Sequence, residues 1–154
     1  MIIECDNKEC LKWMEMSDPI FENMGIDLSE ISISVSIKNN RYLKSSTGKS
    51  MCKPDCIHIR NDLQFDIFIQ TYAHEVGHIT QKLGTFENPK KFITGIIAES
   101  VALKFEKKFL INFNKKHNTN IPIDENFNGL NRYKFAYYGK NLAILSTKSK
   151  YKLI

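Results

Sequence analysis

The stretch TYAHEVGHIT, Thr71 to Thr80, sets two histidines four residues apart and puts a glutamate directly after the first. It lies in a run whose apolar residues, Phe65, Ile69, Tyr72, Val76 and Ile79, recur at helical spacing. Asp62 is placed to cap that helix and Gly84 to end it. At 3.6 residues per turn, His74 and His78 return to within about 40° of each other, and Glu75 is turned by roughly 100° from His74. One side of the helix therefore carries two imidazoles with a carboxylate beside them. Any fold of this chain must accommodate that helix.

The remaining elements follow from periodicity and punctuation. Asp6 with Glu9 forms a capping box for a first helix over about Lys8 to Met16, and Asp18-Pro19 opens a short second turn. Ile31 to Ile37 alternates apolar residues with serine, which describes a strand with one buried and one wet face, at or near a sheet edge. Lys38 to Arg41 turns it, and Tyr42-Leu43 begins a return strand. Ser45 to Ser50 reads as a polar loop, leading to a third strand near Cys56 to Ile59.

A second long helix is expected from about Pro89 to Lys116, with Lys115, Lys116 and His117 at the negative end of its dipole. A last helix is expected from about Leu130 to Leu145. No repeat or linker divides the chain, so residues 1–154 are expected to form one domain. The fold class expected is α+β: a small, mostly antiparallel sheet packed on the histidine helix and a second long helix.

Composition excludes some classes. At 42% hydrophobic and 25% charged, the chain reads as an ordinary soluble globular protein. No run approaches the roughly 18 apolar residues of a membrane span. The opening MIIECDNKEC has acids where a signal peptide needs a basic start and an apolar core, so a cytoplasmic location is expected. The net charge of +5 comes largely from lysines such as Lys104, Lys107 and Lys108, which read as a solvated helix face. A nucleic-acid partner is disfavoured, because no recognised binding motif accompanies that charge.

His74 and His78 can reach one metal ion, with Glu75 beside it in position to take a proton from water. With four histidines in the chain, a chance H-E-x-x-H is on the order of one in a hundred. The competing reading is two histidines packed in a helical core with Glu75 a surface charge. A catalytic zinc site needs a third protein ligand and leaves one position for water. Gln81 and Gly84 stand where an astacin-like arrangement requires Gly and His. His117 suits a helix end, Glu87 falls in a loop, and Glu106 lies deeper in the second helix. Glu99, within the apolar run Ile96 to Ala102, is the best candidate, because a carboxylate there is costly unless a cation pairs it.

HEVGH followed by a helical glutamate resembles the gluzincin branch of zinc metallopeptidases. Glu99-x-x-Ala102-x-x-Phe105 further resembles a stretch of the ImmA/IrrE-like peptidases. The resemblance covers roughly residues 30 to 115. It implies a minimal zincin fold, a bound Zn2+, and a protein substrate such as a repressor. The run Glu106-Lys107-Lys108-Phe109 departs from that family, and Leu103 stands where many gluzincins place an acid that orients a histidine ligand.

The chemistry implied is hydrolysis of a peptide bond, with His74, His78 and Glu99 holding zinc and Glu75 acting as general base. The Ile31–Ile37 strand could receive an extended peptide as an added strand. Tyr133, Tyr137 and Tyr138 are candidates, by residue type alone, for stabilising an oxyanion. The alternative is a zincin-shaped binding or regulatory protein in which zinc is structural and nothing is hydrolysed. Cys5, Cys10, Cys52 and Cys56 read as free thiols, with a second zinc site or disulfides as the other possibilities.

Overall fold

A computed structural model of the chain describes residues 1–44, 46–52, 55–81 and 92–123. In order these form β1 (Ile2–Cys5), α1 (Lys8–Asn23), β2 (Ser32–Ser36), α2 (Ile37–Leu43), β3 (Gly48–Cys52), β4 (Asp55–Arg60), α3 (Phe65–Gln81) and α4 (Phe92–His117). The four strands make one sheet in the order β1-β2-β4-β3. The class is α+β, but the sheet is mixed and not mostly antiparallel. β1 and β4 both run parallel to β2, and only β3 pairs antiparallel, with β4.

α1 crosses between β1 and β2, and parallel strands require such a crossover. Its cap is Asn7, not Asp6: the Asn7 Oδ1 accepts the backbone N–H groups of Glu9 and Cys10. Asp6 still belongs to the sheet, since its N–H donates to the Val35 carbonyl. The Asp6 carboxylate instead accepts the Ile37 N–H and the Asn61 side-chain amide, and these bonds hold its pKa below the usual value.

α1 also continues through Pro19 where the sequence suggested a break. An internal proline costs about 3 kcal/mol. Ile20 and Phe21, both buried, each return roughly 1.5–3 kcal/mol. Packing of the last turn therefore outweighs the lost hydrogen bond.

β2 lies one strand in from the edge, between β1 and β4, so it is near an edge but not on one. The alternation itself holds: Ile33 and Val35 are fully buried in the core. α2, which replaces the expected turn and return strand, lies over the serine face at Ser34. Serine is small enough for that helix to lie close. Asn39 on α2 donates to the carbonyls of Ser34 and Ile59, tying it to two strands at once.

The end of the stretch read as a polar loop belongs to strand β3, whose GKSMC sequence carries no apolar alternation. Asp62 does not cap α3; its carboxylate pairs with Arg60, and the helix starts at Phe65. α1 and α3 pack on the sheet face bearing Ile33, Val35, Ile57 and Ile59, and α4 packs on both helices. Phe21 stacks on Phe109 and meets the edge of Tyr72, joining α1, α4 and α3. Among the described residues no helix is long and apolar enough to cross a membrane.

Candidate metal centre

Every residue from Thr71 to Ile79 is buried, so the polar side chains of this stretch must find partners inside the protein. α4 supplies them by crossing α3 at very short range. A Cβ on Gly77 would sit 3.0 Å from the Ala102 Cα and 3.2 Å from the Phe105 ring. Glycine at position 77 and alanine at position 102 thus allow the two backbones to approach. Glu99 and Glu106 flank Ala102 and are two helical turns apart, so they share the α4 face turned toward α3.

At the crossing, His74 Nε2 lies 3.1 Å from Glu99 Oε2, and His78 Nε2 lies 3.1 Å from Glu99 Oε1. His74, His78 and Glu99 each offer one ligand atom, and these atoms all lie within 4.8 Å of one another. The other nitrogen of His74, Nδ1, is 2.9 Å from Glu106 Oε2. A carboxylate on Nδ1 keeps the proton there and leaves Nε2 to face the cluster.

The carboxylates around the cluster favour positive charge at its centre. Burial works against a charged imidazole at His74, but hydrogen bonds to Glu106 and Glu99, with the charges of Glu99 and Glu75, raise its pKa to about 9. Burial also opposes ionisation of Glu99, yet hydrogen bonds from His74 and His78 hold its carboxyl down at about 2. The protein thus keeps positive charge among three buried carboxylates. Two imidazoles and a carboxylate are a donor set of catalytic zinc sites, so the residues present fit that ion.

Glu75 shares the cluster's electrostatics but none of its hydrogen bonds. It is 7% exposed, and among the described residues it has no hydrogen-bond or ion-pair partner. Its side chain packs against the start of β3, where a Cβ on Gly48 would come within 2.9 Å of the Glu75 Cγ and 2.6 Å of the Thr71 Cγ2. Only glycine lets the edge strand come this close to α3. No comparison of the chain with protein-family models, curated proteins or solved structures returns a match.

The structure therefore brings together His74, His78 and Glu99, with Glu75 alongside. His117 is remote from the cluster: its Nε2–H donates to the Met16 carbonyl and ties the end of α4 to α1. Glu87, Tyr133, Tyr137, Tyr138 and the helix expected over Leu130–Leu145 lie outside the described residues. Sequence reasoning passed over Glu106, although its spacing of seven from Glu99 is the sign of a shared helix face. It also passed over Gly48 and Gly77, whose roles depend on which backbones approach them.

Cys5, Cys10 and Cys56 are free thiols. Cys5 and Cys10 donate to the carbonyls of Asn7 and Asn61. Cys56 stands toward the other end of the sheet, beside His58. The Cys52 side chain lies outside the described residues.

Proposed function

We propose that the protein is a zinc-dependent endopeptidase of the gluzincin type, with a zincin-like organisation, acting on one or few regulatory protein substrates. The observation that carries this reading is Glu75. An ionisable carboxylate buried with no hydrogen-bond partner among the described residues is costly, and a protein that only needed a structural ion would have no use for one there. Beside a His-His-Glu donor set, it is suited to act as a general base.

In this reading His74, His78 and Glu99 hold the ion, and Glu106 fixes the orientation of His74. Zinc, when bound, supplies the Lewis acidity that activates water and polarises a carbonyl. Glu75 accepts the proton from water and passes it to the leaving amine. The candidate substrate edge is β3 and not the Ile31–Ile37 strand, since β2 is paired on both sides. β3 pairs only with β4 among the described residues, and its first residue touches Glu75. An extended peptide hydrogen-bonded along β3 would pass close to the base.

The test is co-incubation of the zinc-loaded protein with a proteome of its host, followed by mapping of new N-termini. We expect a small set of cleavages, abolished by a chelator and restored by zinc. Zinc-loaded protein that generates no new N-termini would favour the binding reading.

A further inference from the structure

The sheet face opposite the core carries another group of sulfur and imidazole side chains, away from α3. Cys56 and His58 alternate with the buried Ile57 and Ile59 on β4, so both project from the far face, where they are half-buried. Cys56 Sγ lies 3.7 Å from His58 Nε2. A sulfur and a nitrogen bound to one metal, at about 2.3 and 2.0–2.1 Å, are separated by roughly 3.5–3.8 Å at tetrahedral to trigonal angles. The pair is already at coordination distance. Met51 is the direct antiparallel partner of Cys56 on β3, and such partners share a face with Cβ atoms about 4.5–5.5 Å apart.

We propose that Cys56, His58 and Met51 form a thiolate–imidazole–thioether site for Cu(I). The donor set is soft, and soft sulfur ligands select that ion. One thiolate neutralises Cu(I), and the imidazole and thioether add no charge to the site. A nucleophilic Cys-His pair is the competing use of these residues, and Met51 across the strand distinguishes the two, because a nucleophile gains nothing from a thioether beside it. Binding releases the thiol proton to solvent and involves no change of oxidation state. The ion would link the β3 edge to β4.

The test is an anaerobic competition in which the reduced full-length protein is titrated into Cu(I) held by the chromophoric chelator bicinchoninate. Wild type is expected to withdraw Cu(I), and Cys56→Ser one equivalent fewer. Met51→Leu should retain the site with affinity lowered about tenfold, and Cys5→Ser/Cys10→Ser should match wild type. Far-ultraviolet circular dichroism and melting of each variant check that the fold persists. X-ray absorption of the copper complex should show sulfur and nitrogen together in the coordination shell. No withdrawal by wild type, equal withdrawal by Cys56→Ser, or loss in the Cys5/Cys10 variant would overturn the proposal. None of these arms depends on zinc at α3.

Discussion

The α3–α4 crossing and the far face of the sheet both gather polar side chains, and they do so on different terms. At the crossing, His74, Glu75, His78, Glu99 and Glu106 are all buried, Glu99 to 2% exposure. On the far face, Ser34, Lys49, Cys56 and His58 are half-exposed and can complete their hydrogen bonds with water. The first region is thus committed to its internal partners, while the second tolerates change. Burial, and not residue type, separates the two histidine-bearing sites.

His78→Ala should give the largest effect. It removes a metal donor and leaves a buried Glu99 oxygen without its partner. Zinc binding should be lost, and the metal-free protein should be destabilised by about 1–3 kcal/mol, the usual cost of leaving a buried polar group without its hydrogen bond. Elemental analysis and denaturant melting measure the two losses separately. Glu106→Ala comes next: without the carboxylate on Nδ1, zinc affinity should fall by about 10- to 100-fold in chelator competition. An unchanged affinity would mean that His74 is oriented by packing alone.

Gly77→Ala tests the crossing itself. Its new Cβ would press on the Ala102 backbone, and overpacking of this kind costs about 1–3 kcal/mol. Zinc affinity should fall with stability, because Glu99 and Glu106 ride on the displaced helix. Ser34→Ala on the far face should be smallest. Its hydroxyl accepts one of the Asn39 amide bonds, worth about 1 kcal/mol, and the amide keeps two carbonyl partners. A loss there as large as at Gly77 would erase the contrast between the regions.

What was legible in the sequence follows the same division. The two long helices and the relation of His74 to His78 are local, set by a 3.6-residue period, and were readable. Glu99 was readable because a charge in an apolar run demands a partner. The sheet topology was not, because alternation in Ile31–Ile37 reports which face is buried and not which strands lie alongside. α2 was hidden for a related reason: Asn39 and Asn40 look like turn residues, and only the carbonyls of Ser34 and Ile59 make Asn39 a helix anchor. Asp6 and Asn7 are both capping residues, and the choice between them was made by the ladder bond from Asp6 to Val35. β3 owes its place to a glycine fitting against Thr71 and Glu75, a contact that no local pattern records.

The central claim is that Glu75 serves a metal held by His74, His78 and Glu99. Glu75→Gln tests it most directly, with zinc content and cleavage of a mapped substrate measured on the same samples. The substitution preserves size and leaves all three donors in place. The account predicts one zinc per chain, an unchanged fold, and cleavage slowed by about 10²- to 10⁴-fold, as loss of a general base entails. Full cleavage by zinc-loaded Glu75→Gln would contradict it.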